Sequence, residues 1–311
     1  MTLRAVLLID AGNSALKWQL LVRSDADLSL PDHAFEAVLQ TQVERMDNTD
    51  VSTEALVAAW RARIAEVAVD ARPSLQWQLA WCTVGPVSVQ QAVAQAYQRV
   101  SGNEAPLAYQ SRSRIALTGV GCDVVENCYE RPEQLGVDRW ISAIGLACQG
   151  VTGPGEMHMV VSAGTATTVD LVQHRSESGA PQPADRRLAF LGGWILPGIR
   201  LMNGALRRGT RDLDYVVATG SRAEAEIPRD SQTAISQGIG LAQTGFVAGL
   251  IRHHHVTKLW LHGGQAQEWR HFLAAMDGAS GSTVTIHEQP TLIFAGLMAL
   301  ARFQRPVSHQ T

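Results

Sequence analysis

One pattern occurs twice in this chain of 311 residues, half a sequence apart. Ala5-Val6-Leu7-Leu8-Ile9-Asp10-Ala11-Gly12-Asn13-Ser14 is echoed by Met159-Val160-Val161-Ser162-Ala163-Gly164-Thr165-Ala166. In each copy an apolar run ends in a small polar turn, from which a second amphipathic run leaves. The pattern predicts a strand, a tight turn and a returning strand. A glycine in such a turn removes the Cβ that would block close approach, so backbone N–H groups and the Asn, Ser and Thr side chains can converge on an anion. Two such turns facing each other could hold a polyphosphate.

The repeat spacing and the length predict two domains of about 150 residues, residues 1–131 and 132–311. Hydrophobic residues make up 46% and charged residues 18%, enough for buried cores and unlike a disordered chain. A net charge of -3 gives no electrostatic reason to expect nucleic acid or an anionic membrane as partner. Small molecules are the expected ligands. Ala5–Ile9 is too short for a secretory core and stops at Asp10, and Leu292–Ala301 falls short of a spanning length, so the expected location is the cytoplasm. Cys82, Cys122, Cys128 and Cys148 lack paired CxxC spacing and read as free thiols. His253-His254-His255 follows the apolar stretch Ala234–Ile251, where polar or cationic residues suit the negative end of a helix better than a metal site.

Residues 5–22 read as two strands about the first turn, 24–50 as a polar excursion with little function, Glu54–Val69 and Pro86–Val100 as helices, and Leu75–Cys82 as a strand. The first half is expected to mix strands and helices in βββαβα fashion, the third strand being given no bounds. The second half repeats the theme, with a helix over Val137–Cys148, strands into Ser162 and over Thr167–Val172, a Ser/Pro-rich hairpin over 174–187 and a strand over Phe190–Leu196. Gly204–Arg208 falls in a helix, 209–230 is irregular, and Ala234–Ile251 is a long apolar helix suited to close packing within this half or at a dimer contact. Lys258–Leu261 is a strand running into His262-Gly263-Gly264, and Thr291–Phe303 a closing helix. A duplicated α/β arrangement with ligands at the strand ends between the halves favours a kinase or ATPase. No G-x-x-x-x-G-K-[ST] occurs, and neither Gly119-x-Gly121 nor Gly238-x-Gly240 continues to a third glycine in register, which argues against P-loop and Rossmann sites.

Asp10, at a strand end beside a glycine turn, is placed to hold Mg²⁺ or its waters against a triphosphate, or simply to cap the turn. Lys17 on the returning strand either reaches phosphate or is a solvated strand residue. Gly136-Val137-Asp138-Arg139 opens an amphipathic helix. Asp138 there either complements the helix dipole or accepts a proton from a substrate hydroxyl while Arg139 clamps a substrate carboxylate. Gly192-Gly193-Trp194-Ile195-Leu196-Pro197-Gly198 allows close backbone approach by a ligand.

Together these segments resemble the type III pantothenate kinase family, including the homologues called Bvg accessory factor. The resemblance rests on Asp10-x-Gly12-Asn13-Ser14, Gly136-x-Asp138-Arg139, Ala163-Gly164-Thr165-Ala166-Thr167-Thr168-x-Asp170 and Gly192-Gly193-x-Ile195-x-Pro197-Gly198, in order across nearly the whole chain. It implies a duplicated actin-like fold of the acetate- and sugar-kinase type with a central cleft, a homodimer, and ATP-dependent phosphorylation of pantothenate, the first step of coenzyme A synthesis. Residue by residue, it implies that Asp10 is the metal-associated acid of a first phosphate loop lined by Gly12, Asn13 and Ser14. Gly164, Thr165 and Ala166 would form the second loop. Asp138 would be the base, Gly136, Asp138 and Arg139 would bind pantothenate, Tyr129 would pack over it, and Thr233 would reach across the dimer. Ser162 stands where the family has an Asp associated with a monovalent cation such as K⁺ or NH₄⁺, and Ser14 replaces a Thr.

The expected protein is a cytoplasmic kinase using ATP and Mg²⁺. Two rivals stand beside it: another small-molecule kinase on the same fold, and a nucleotide- or pantothenate-binding regulator without turnover.

Overall fold

The computed structural model of the chain describes residues 3–24, 31–67, 75–109, 114–117, 124–150, 153, 155–175, 187–210, 227–274 and 284–303. Most of the hairpin expected over 174–187, most of the irregular stretch 209–230 and Cys122 lie outside them. The expected α/β class is present. The residues group into two compact units: Met1–Val151 with Ser176–Ala189 and Thr291–Thr311, and Thr152–Arg175 with Phe190–Pro290. This division differs from a cut after residue 131. Contacts assign helix Val137–Ala147 to the first unit, because it packs against the closing helix Leu292–Phe303.

In the first unit β1 (Leu3–Ala11), β2 (Ala15–Ser24), β3 (Glu44–Asp47) and β4 (Leu75–Thr83) form a sheet ordered β3-β2-β1-β4. β1 runs antiparallel to β2 and parallel to β4. Ala5 to Ala11 are all buried, as expected of a strand covered on both faces. Leu7 and Ile9 share a core with Leu56 and Trp60 of α2 (Thr53–Val67) and with Val89, Val93 and Tyr97 of α3 (Val87–Ser101). α1 (Pro31–Gln40) lies within the segment 24–50 expected to be a polar excursion with little function. α4 (Val137–Ala147) crosses α8 (Leu292–Phe303) at a pair of glycines. A Cβ on Gly145 would strike the Leu292 carbonyl, and one on Gly296 the Ile141 carbonyl. β5 (Ile115–Leu117) and β6 (Val124–Asn127) pair antiparallel in the same unit.

The second unit repeats the design. β7 (Met157–Ala163), β8 (Ala166–Arg175), β9 (Arg187–Pro197), β10 (Lys258–His262) and β11 (Thr285–Glu288) run in the order β9-β8-β7-β10-β11, so that β9-β8-β7-β10 restates β3-β2-β1-β4. β7 is antiparallel to β8 and parallel to β10, as β1 is to its neighbours. This is the duplication read from the sequence. α5 (Ile199–Gly209), α6 (Ser231–His254) and α7 (Ala266–Ala274) complete the unit. α6 is long and apolar enough to cross a membrane by length and composition. Its Ile235, Ile239, Val247 and Ile251 are instead built into a core with Met159, Val161, Leu171 and Trp269. Asp230 caps its start, and at its end His255 adopts a left-handed φ of 53°. The histidine run thus closes a helix, as expected.

Two predictions follow from the packing. Gly296→Ala should cost about 1–3 kcal/mol by forcing two helix backbones apart, seen as a lower urea midpoint. His158, buried on β7, accepts from Trp260 Nε1 at 3.3 Å through Nδ1. Burial, helped by Lys258, His174 and His287 and opposed by Glu156, pushes its imidazole down to about 4. A free histidine titrates near about 6.5, so the native state binds fewer protons than the unfolded chain between the two values. The stability this provides is complete above the unfolded value and is lost as pH falls toward the folded one. Melting of the native protein should therefore drop more steeply between pH 6.5 and 4.5 than that of His158→Gln, which keeps an acceptor for Trp260.

Candidate active site

The first turn joins β1 to β2. Gly12 N donates to Ala15 O at 3.0 Å, closing the turn. Asp10 is 8% exposed at the end of β1. Its partner across the antiparallel pair is Lys17, whose ammonium lies 3.5 Å from Asp10 Oδ2. In parallel register on β4 stands Cys82, whose thiol contacts Asp10 Oδ1 at 3.9 Å. Burial first, then the charges of Asp10 and Asp138, pushes the Cys82 thiol well above its ordinary value of 9.0. The thiol is therefore kept protonated and offers a weak donor to the carboxylate.

Asp138 sits in the first turn of α4, after Gly136 at the N-cap. A Cβ on Gly136 would lie 2.7 Å from Asp138 Oδ1, so the glycine makes room for the carboxylate. Burial pushes the Asp138 carboxyl up, and the charge of Asp10 pushes it further, against the pull of Arg139 and backbone N–H groups. A carboxylate made more basic in this way suits general-base work on an alcohol. Arg139 is 6% exposed, donates through Nη1 to the Tyr129 hydroxyl at 2.9 Å and lies 5.7 Å from that ring's centroid. Tyr129 is placed by its own N–H, which donates to Asn127 Oδ1 at 3.0 Å. The first unit thus gathers Asp10, Lys17, Asp138, Arg139 and Tyr129, which the sequence singled out separately.

The second turn, between β7 and β8, is one residue shorter, with Gly164 N donating to Ala166 O at 3.2 Å. A Cβ on Gly198 would collide with the carbonyls of Gly164 and Thr165, and one on Gly193 with Val169 O and the Asp170 carboxylate. The Pro-Gly signal therefore serves close packing on the second turn, and Gly193 close packing on the neighbouring strand β8. Ser162 is half-buried on β7, paired with Thr168 on β8 and His262 on β10. Thr233 is tied down locally, its N–H donating to Asp230 Oδ1 and its hydroxyl to Asp230 Oδ2, both at 2.8 Å.

Four contributors were not legible as site residues. Gly85 follows β4, and a Cβ there would lie 2.5 Å from Gly12 O. Cys82, Asn48 and Gln265 touch Asp10 or the turns. A glycine between a strand and Pro86 was a usable signal for Gly85. Nothing local marks Asn48.

An acid ending a strand beside a glycine turn, a second acid opening a helix in the same unit, and a second glycine turn on a repeated strand order suit a phosphotransferase-type α/β protein. A family model described as type III pantothenate kinase matches residues 6–253, and the chain belongs to that family. Among relatives, the type III pantothenate kinase of Cupriavidus pinatubonensis is 34% identical over 311 residues, covering 95% of this chain and 98% of its own. That of Cupriavidus taiwanensis is 32% identical over 309 residues, covering 95% and 97%. That of Bordetella bronchiseptica is 33% identical over 233 residues, covering 68% and 80%. Among solved structures, an inorganic polyphosphate/ATP-glucomannokinase from Arthrobacter sp. strain KM aligns with a TM-score of 0.40 at 10% identity, covering 97% of this chain and 100% of that one.

Asp138→Asn tests the electrostatics in two directions. Turnover should fall by roughly 10²–10⁴ if the carboxylate is the base. Stability should rise, because a carboxyl with a raised native pKa favours folding only below its unfolded value and loses that contribution as pH climbs through the native one. Melting at pH 8 should therefore be higher for Asp138→Asn than for the native protein, with the difference closing below about pH 4.

Proposed function

We propose that this chain phosphorylates the primary hydroxyl of pantothenate with ATP, the first step of coenzyme A synthesis. Family membership supplies the substrate. The observation that carries the mechanism is the raised Asp138 carboxyl in the same unit as the Asp10 turn. Asp138 takes the hydroxyl proton. Arg139, oriented by Tyr129, holds the pantothenate carboxylate; Gly136 leaves the space beside Asp138 open. Gly12, Asn13 and Ser14 line one phosphate turn, Gly164, Thr165 and Ala166 the other, and Lys17 adds positive charge next to Asp10. Catalysis is mainly alignment and charge neutralisation.

Asp10 fits a Mg²⁺ role: it is a single acid at a strand end beside the glycine turn, the donor set of an ion that keeps most of its waters and shares the phosphates. Bound there, Mg²⁺ would neutralise charge on the transferring phosphoryl group. The working form is proposed to be a cytoplasmic homodimer with Thr233 near the partner's substrate, supported by the family reading. The duplicated sheet order supports the actin-like assignment.

Ser162 lacks the charge that makes a K⁺ site bind, so activation by monovalent cations should be weak or absent. A coupled assay of ADP release tests both readings. Release should require pantothenate and change less than about twofold when K⁺ or NH₄⁺ replaces Na⁺ at fixed ionic strength. ADP release on sugars but not pantothenate would favour a different kinase. ATP binding with no release on any acceptor would favour the regulatory reading.

A further inference from the structure

Both glycine turns are held by a carboxamide that grips backbone carbonyls. In the first, Asn48 Nδ2 donates to Gly12 O at 3.0 Å and to Asn13 O at 2.9 Å. The Asn48 N–H donates to Ser14 O at 3.0 Å. In the second, Gln265 Nε2 donates to Gly164 O at 2.6 Å, and its N–H donates to Ala163 O at 2.9 Å. Gln265 Oε1 in turn accepts from Arg200 N at 3.3 Å, tying the turn to the start of α5.

The consequence follows from the peptide bond. In a trans peptide the carbonyl and the next residue's N–H point in opposite directions, and the described chain contains no cis peptides. With the carbonyls of Gly12 and Asn13 drawn to Asn48, the N–H groups of Asn13 and Ser14 are directed away from it. With the Gly164 carbonyl drawn to Gln265, the Thr165 N–H is likewise directed away from that carboxamide. N–H groups held on the side of a turn opposite its carbonyls are what an anion-binding turn requires. A turn free to rotate would show phosphate its carbonyls part of the time.

The backbone part of this support is duplicated. Asn48 N to Ser14 O after β3 matches Gly198 N to Thr165 O after β9. Val84 N to Ala11 O after β4 matches Gln265 N to Ala163 O after β10. The carboxamides are not at matching places, since one follows β3 and the other β10. Asn48 Oδ1 is also buried with no hydrogen-bond partner among the described residues, a cost to folding that its donor side alone does not require.

We propose that Asn48 and Gln265 are positioning residues for ATP, acting through the turns they hold and not by touching substrate. This rests on the kinase reading for the identity of the nucleotide. The test measures ATP and pantothenate binding by calorimetry, steady-state KM values and melting for the native protein, Asn48→Ala and Gln265→Ala. Each variant should weaken ATP binding about tenfold, the loss of roughly one oriented hydrogen-bonding group. Pantothenate affinity should stay within about twofold and melting within a few degrees. Asn48→Ser, which keeps one donor, should fall between, and it serves as the test if Asn48→Ala does not fold. Native ATP affinity in the folded variants would overturn the proposal, as would equal loss of ATP and pantothenate affinity with a lowered melting temperature. A native protein that binds ATP without phosphorylating pantothenate would sink the proposed function while leaving this binding test intact.

Discussion

Two poorly exposed carboxylates, one of which feels the charge of the other, set the terms for the first unit. Asp10 ends the central strand and Asp138 opens a helix, and burial and mutual repulsion both act against charging Asp138. Such a pair persists only with compensation. Lys17 supplies it from the neighbouring strand and Arg139 from the next helical position. Cys82 is kept as a neutral thiol, so no third negative charge arises beside Asp10. The Tyr129 contact fixes Arg139, and Asn127 fixes Tyr129, so the cation's place is defined through a chain of hydrogen bonds. The same mutual repulsion that costs stability makes Asp138 a better proton acceptor.

The glycines around the turns obey a second constraint, close backbone approach. Gly85 lies against Gly12, Gly198 against Gly164 and Thr165, and Gly263 against Ala163, each where a Cβ would meet a carbonyl oxygen or its neighbours. The turns are therefore braced from several sides by backbone. Side-chain clamps from Asn48 and Gln265 add to bracing already present in both copies. Duplication preserved the sheet order and the backbone contacts, while the turn length and the source of the carboxamide diverged.

Much of this was open to sequence reading because it is periodic or local. The two hairpins, the long helices and the glycine turns all carry signals within a window of a few residues. α1 was passed over although five of its ten residues are apolar, because it lies inside a longer polar stretch, and the third strand of the expected βββαβα order was given no position: β3 carries only Met46 as an apolar residue and alternates half-buried and exposed positions at the edge of its sheet. The segment read as a polar excursion over 24–50 also carries a structural contact to the first turn, since Asn48 follows β3 and donates to the Gly12 and Asn13 carbonyls.

By itself the sequence determined the strand–turn–strand repeat, the acids at Asp10 and Asp138, and the family, because short-range pattern and residue chemistry are written in order along the chain. Only the tertiary structure decided that α4 belongs with the first unit through its glycine crossing with α8, and that Cys82 faces Asp10. It also decided that Arg139 is held by Tyr129 and that Asn48 and Gln265 orient the turns. Asn48 stands 35 residues from Asn13, and Gln265 stands 101 from Gly164. Hydrogen bonds at that separation form only once strand pairing has brought the segments together, so no local pattern encodes them.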